Sequence, residues 1–361
     1  MRDPDTYLPL VLPVVAALAA RPVSGRLGPR AATWLLTGTA AGLAVASLAT
    51  LAVSAMGSAL RLPPIAALGH MSERVLRHAP QTDPVVGTVA TVLLLMCLIS
   101  AACAAVRQGY RLVASARTAR ALPGGGPVAV VDDPEAEAFA LPGRPGRIMV
   151  TTGMLAVLTP AQRDALIAHE RAHLADRHHL FRAVTTVAAA ANPLLWPLRG
   201  AVVFATERWA DERAAASIDD REQTAQAIGR AALAHNRRPR LGHAAALGIG
   251  IARDNLRRGF GLARLAERAL PGFAGRGRAR LAGRGIAGFS GRGDAGAGRG
   301  LVGLRRPGPL PRRVKALLEP PPARRPLLIA AMAALVVLAL LAAQDAVVDL
   351  HSLVEHAQAA D

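Results

Sequence analysis

The chain has few aromatic side chains: Phe, Trp and Tyr make up 3% of its 361 residues, although 52% are hydrophobic. Ala, Leu and Val carry most of that apolar content. Such a balance is unusual for a soluble enzyme and points to membrane spans. Cysteine is nearly absent. Cys97 and Cys103 share one apolar run, and six positions apart on a helix they face different sides, which argues against a disulfide or a thiolate metal site. Lysine occurs once, at Lys315, so the formal charge of +18 is almost wholly arginine. Residues 221–325 hold 23 basic and 5 acidic residues, a difference of 18, so one region supplies the entire excess.

Four apolar stretches stand out along the chain. The first, about 7–20, lies between Asp3 and Asp5 and a later cluster of Arg21, Arg26 and Arg30. Its basic cluster follows the apolar run, the reverse of a signal peptide, so it reads as a span. The stretches 32–60, 84–106 and 326–348 match or exceed the roughly 20 residues needed to cross a bilayer. Gly38, Gly42 and Ala46 suit close helix packing in lipid. Residues 61–84 read as a polar loop.

Arginines flank these spans unevenly. Arg21, Arg26 and Arg30 fall in one connection, Arg107, Arg111, Arg117 and Arg120 follow the third span, and Arg312, Arg313, Lys315, Arg324 and Arg325 precede the fourth. With four spans all three sets share a side. The positive-inside rule then makes 107–325 cytoplasmic and both termini, including the short tail 349–361, extracytoplasmic. The expected organisation is a membrane region at 1–106, a cytoplasmic domain at 107–235, an Arg/Gly/Pro-rich segment at 236–325 and a last span. Within 236–325 the run Gly272–Gly308 repeats Gly-Arg-Gly and holds only Phe273 and Phe289 as aromatics. It cannot bury enough apolar surface to offset ordering, so the segment is expected to be largely disordered.

The cytoplasmic part opens with three short strands, at 127–131, 136–141 and 147–152, separated by turn residues. Thr159-Pro160-Ala161-Gln162 then starts a helix. Thr is the N-cap, Pro takes the first helical position and Gln completes a capping box. That helix contains His169-Glu170-Arg171-Ala172-His173. H-E-x-x-H on a helix puts two imidazoles one turn apart on one face, where they can close on zinc while Glu170 reaches the water. The bland alternative is a pair of solvated histidines on an amphipathic face.

A third ligand is available in two places. His179 has the ten-residue spacing of the metzincins, but that pattern requires a Gly where Asp176 stands, and nothing in Leu174–Phe181 reads as a helix breaker. On an unbroken helix His179 lies about 15 Å from His169 along the axis. Glu207, on a helix expected at 198–217, is favoured. Asp211, one turn on, can then hold a ligand imidazole by its free N–H. The competing role for Asp211 is a salt bridge to Arg208 or Arg182.

His169–His173, Asn192-Pro193-Leu194 and Glu207-Arg208-Trp209-Ala210-Asp211 together resemble the BlaR/MecR-type membrane zinc metallopeptidases, gluzincin-like antirepressor signal transducers more distantly similar to HtpX-like proteases. Ala138–Leu141 and Ile148–Gly153 look like that family's strands before the zinc helix. The resemblance implies a multi-pass α-helical membrane protein bearing an α+β zincin-like domain, a small sheet followed by an H-E-x-x-H helix and an E-x-x-x-D helix. The family's β-lactam sensors carry an extracellular penicillin-binding domain, and about a dozen residues after the last span leave no room for one here.

The expected chemistry is zinc-dependent endopeptidase cleavage. His169, His173 and Glu207 bind Zn²⁺, Glu170 is the general base, Asp211 supports a ligand, and Ala138, Phe139, Ala140 and Leu141 offer a strand edge to an extended substrate. His178, His179 and Arg182 are oxyanion donors by sequence proximity alone. The resemblance implies a protein substrate, in the first instance a DNA-binding repressor. Membrane-protein quality control is the runner-up, and a non-catalytic receptor a third reading. The basic segment 236–325 suits anionic lipid or a solvated linker. Its lack of stacking aromatics argues against direct nucleic-acid binding.

Overall fold

A computed structural model describes residues 7–60, 84–236, 309–320, 322 and 325–359. The expected loop at 61–84 and the Arg-Gly run 272–308 lie almost wholly outside the described residues. Among the described residues four helices are long and apolar enough to cross a membrane: α1 (Leu8–Arg26), α2 (Pro29–Ala59), α3 (Pro84–Ala121) and α10 (Pro326–Ala359). Each runs past the span expected from hydropathy. A helix continues wherever its residues permit, whereas hydropathy marks only the part that needs lipid. In α3 the continuation to Ala121 carries Arg107, Arg111, Arg117 and Arg120.

Small residues set how closely these helices approach. A Cβ on Gly42 would meet Val336 Cγ1 at 2.6 Å, so α2 and α10 touch through that glycine. Ala46 is fully buried in the same core. Gly38 is exposed and has open space around it, so it is not a packing position.

Beyond α3 come β1 (Val128–Val131), β2 (Ala138–Leu141) and β3 (Arg147–Thr151), in spatial order β1-β3-β2. The central strand β3 is buried at all five positions, with apolar Ile148, Met149 and Val150 between the hydrogen-bonded Arg147 and Thr151. It pairs parallel with β1 and antiparallel with β2, Phe139 opposite Met149 and Ala140 opposite Ile148. Arg147 ties the sheet to the end of α3. It is 5% exposed and donates to the carbonyls of Leu122 (2.7 Å), Pro123 (2.8 Å), Gly126 (2.9 Å) and Ala119 (3.4 Å).

A short α4 (Thr152–Val157) leads into α5 (Pro160–Ala175), whose capping box is present in both directions between Thr159 and Gln162. Then follow α6 (His178–Ala191), a 3₁₀ turn at Pro193–Leu195, α7 (Trp196–Ile218) and α8 (Arg221–Asn236). Finally α9 (Pro309–Leu318) lies inside the segment expected to be largely disordered. Leu310, Val314 and Leu317 recur at helical spacing and pack with Ala225 and Ile228, which gives this stretch the apolar face its Gly-Arg-Gly neighbour lacks.

Replacing Arg147 by Ala leaves four carbonyls without their donor and is expected to lower stability by roughly 2–4 kcal/mol. Thermal unfolding of the detergent-solubilised chain checks this, and Arg147→Lys should recover only part of the loss.

Candidate metal centre

The H-E-x-x-H helix α5 packs on β2 and β3 on one side and on α7 on the other. His169 and His173 face α7, and their Nε2 atoms are 3.1 Å apart. Glu207 completes the group, with Oε1 3.5 Å from His173 Nε2 and Oε2 3.8 Å from His169 Nε2. One donor atom from each residue lies within 4.8 Å of the others. Atoms bound to one zinc at about 2.0–2.2 Å and near-tetrahedral angles are themselves roughly 3.3 Å apart. The three side chains fit such an ion.

Asp211, one turn beyond Glu207 and 2% exposed, places Oδ1 3.0 Å from His169 Nδ1. A proton on Nδ1 shared with that carboxylate leaves Nε2 free for the ion. Burial alone would lower the pKa of His169, but Asp211, with Glu170 and Glu207, holds the imidazole above its ordinary value. His173 is pushed down to about 2, first by burial and then by positive charge on His169, so it stays neutral as a ligand must.

Glu170 points the other way, to the sheet. Its Oε2 accepts a hydrogen bond from the Ala140 backbone N–H at 2.8 Å. Phe139 and Met149 form the hydrogen-bonded pair between the two strands, so Ala138 and Ala140 present their backbone groups to the open edge of β2. Glu170 thus joins the edge to the metal group. Burial raises its pKa above the usual carboxylate range, which suits a general base.

One sequence expectation needs correction, and the geometry bears on two alternatives left open. The helix does break after H-E-x-x-H. It ends at Ala175, and Arg177 takes a left-handed backbone (φ 51°) before α6 starts. No glycine marks the break, although a left-handed L-residue costs about 1–2 kcal/mol, so the sequence gives little warning of it. His179 still lies outside the metal group, for which His178 rather than His179 turns inward. Next, His178 turns toward His173. Its Nδ1 lies 2.8 Å from His173 Nδ1, it is buried against Trp209, and it backs the ligand from behind. Last, Asp211 pairs with neither Arg208 nor Arg182. Arg208 donates to the carbonyls of Ser24 (2.7 Å) and Leu27 (3.2 Å), and Arg182 donates to Glu207 Oε1.

The partner of Asp211 is Arg313, a residue that sequence reasoning counted only as a flanking charge. From α9 it donates Nε to Asp211 Oδ2 (2.8 Å) and Nη2 to Oδ1 (2.7 Å), while Nη1 stands 2.7 Å from Glu207 Oε2. It lies 102 residues from Asp211. The one available signal was the apolar spacing around it, Leu310, Val314 and Leu317.

Two imidazoles and a carboxylate converging beside a buried glutamate, in a chain that also carries helices long and apolar enough to cross a membrane, define a metallopeptidase type of site. The family comparison makes this specific. Peptidase family M48 matches residues 88–320, and the chain belongs to that family. No curated protein and no solved structure gives a match. M48 peptidases are zinc-dependent, and the membership is consistent with a peptidase of the BlaR/HtpX kind.

Arg313→Ala is expected to weaken zinc affinity about 10–100-fold, the usual cost of losing a residue that orients a ligand. Chelator competition on the purified chain checks it, with Arg313→Lys intermediate because it cannot make the bidentate pair.

Proposed function

We propose that the chain is a membrane-embedded zinc endopeptidase that cleaves a protein substrate on the cytoplasmic side. The observation that carries this reading is the convergence of His169, His173 and Glu207 beside Glu170. Zinc held by His169, His173 and Glu207 would supply a Lewis acid that activates water and polarises a carbonyl oxygen. The chain's own residues do the rest. His169 and His173 present their Nε2 atoms, with Asp211 and His178 behind them fixing the rings. Glu170 takes the proton from the attacking water and returns it to the leaving amine. The open edge of β2, where Ala138 and the Ala140 carbonyl face outward while the Ala140 N–H is held by Glu170, aligns an extended peptide by backbone hydrogen bonds. Arg182, at the mouth of the group on Glu207, is the nearest candidate to meet the developing oxyanion.

The arginine distribution supports the cytoplasmic placement. The likeness to BlaR/MecR-type transducers in His169–His173, Asn192–Leu194 and Glu207–Asp211 supports a DNA-binding repressor as substrate. Quality control of membrane proteins is the second reading, favoured by the apolar frame that surrounds the site. Residues 236–325 outside α9 would rest on anionic lipid.

Glu170→Gln should keep zinc and lose about 10²–10⁴-fold in casein or repressor cleavage, the range for a positioned general base. Metal analysis alongside turnover checks it. Retained turnover with zinc bound would remove Glu170 from its role. His169→Ala should lose the metal itself.

A further inference from the structure

Leu27 and Gly28 alone connect α1 to α2, so the two spans turn at one face of the membrane. A cleft of about 700 Å³ opens beside that turn. The start of α2, from Gly28 to Trp34, forms part of its lining, and α7 contributes Trp209, Glu212 and Arg213. Asp176, just past the end of α5, lines it too. A Cβ on Gly28 would meet nothing within 4 Å, so the turn leaves the cleft open.

The acids of the cleft already have partners. Glu212 accepts from Arg221 through both oxygens, at 2.7 and 2.9 Å, and Asp176 stands 3.3 Å from Arg213 Nε. Arg30 differs. It is exposed, its guanidinium stands 5.8 Å from the centre of the Trp209 ring, and among the described residues no carboxylate pairs with it. A cation that rests on an aromatic face instead of a carboxylate stays free to take an anion. The backbone beside it offers more donors. Pro29 starts α2 without an N–H, no side chain caps the helix, and the N–H groups of Arg30 and Ala31 have no acceptor within it. The partial positive charge at the start of this 31-residue helix adds to that of Arg30.

A bare anion site needs no indoles, and this cleft has two. Trp34 and Trp209 both pack on Phe181, with ring centroids 4.8 and 6.1 Å away, so their rings are held in place. Trp34 is still 60% exposed, in the first turns of a span. Tryptophan at that level belongs to the headgroup layer, where an aromatic ring meets both polar groups and the first acyl carbons. Arg21 and Arg26 mark the same layer, and basic pockets between spans recognise lipid headgroups.

We propose that this cleft is a phospholipid site. The lipid phosphate meets Arg30 and the first amides of α2, and the glycerol and upper acyl chains lie against Trp34. Because one cation of the cleft is unmatched, a singly anionic lipid is preferred over a zwitterionic one. Trp209, which lines the cleft, also packs on His178 (ring centroids 4.8 Å), so two side chains lead from the lipid to His173. The inference rests on α1 and α2 crossing the membrane and is independent of the peptidase reading.

Native mass spectrometry of the full chain in detergent tests it, with phosphatidylglycerol, phosphatidylcholine or inorganic phosphate as the probe. The parent chain should hold one phosphatidylglycerol at least about tenfold more tightly than phosphatidylcholine, and about a hundredfold excess of inorganic phosphate should not displace it. Arg30→Gln should weaken that lipid about tenfold, as loss of a charged hydrogen bond does, and Arg30→Lys should weaken it less. Arg26→Gln, one turn earlier, exposed and outside the cleft, should stay within about twofold of the parent. Trp34→Ala should weaken the lipid as well. Equal affinity in Arg26→Gln and Arg30→Gln would reduce the binding to a general attraction between arginine and anionic lipid and overturn the site. Displacement by inorganic phosphate would make the ligand a free anion and overturn the lipid assignment. Release of the parent chain from membranes by alkaline carbonate would instead overturn the spans on which the inference rests. A melting temperature equal to the parent's shows that each variant is folded.

Discussion

The grip of Arg208 on the carbonyls of Ser24 and Leu27 sets the height of everything catalytic. Those two carbonyls end α1 and lack helical partners of their own, so a buried guanidinium between them is well matched. Glu207 precedes Arg208 and Asp211 follows it by three positions. Fixing Arg208 therefore fixes where the third donor and its neighbour stand relative to the spans. The histidines come from α5, which has no such anchor. They reach the same point because α5 is wedged between the sheet and α7.

The site concentrates charge where burial makes charge expensive. Glu207 and Asp211 are paired with Arg313, and Glu207 with Arg182 as well. A buried ion pair is retained more readily for specificity than for stability, since desolvation offsets most of the attraction. Here the pairs give the two carboxylates one arrangement each. Glu207 turns toward both histidines and Asp211 toward His169 Nδ1. The arginine responsible arrives from α9, so a segment remote in sequence closes the site.

Most of the local architecture was legible because it rests on short-range chemistry. Thr159 and Gln162 announce the start of α5, short apolar runs between turn residues announce the strands, and His169 and His173 at i and i+4 share a face by helical geometry alone. What stayed hidden was long-range or unmarked. Arg177 adopts a left-handed turn without a glycine to signal it. Arg313 looks like one more arginine among many until α9 is seen to pack on α8. The packing of α6 and α7 against α1 and α2 was not legible either, because alanine and threonine, not leucine, fill much of the shared core.

The sharing of α7 also bears on how the peptidase part can be handled. Cut away at residue 107, it would carry with it the faces of α6 and α7 that Ala16, Leu36 and Leu43 now cover. Those faces are smooth, apolar and long, the kind of surface that drives self-association once it meets water. A soluble catalytic fragment is therefore not a smaller version of this protein. Folding, anchoring and metal geometry form one cooperative unit, and purification has to keep the spans and a lipid-like environment to keep the site.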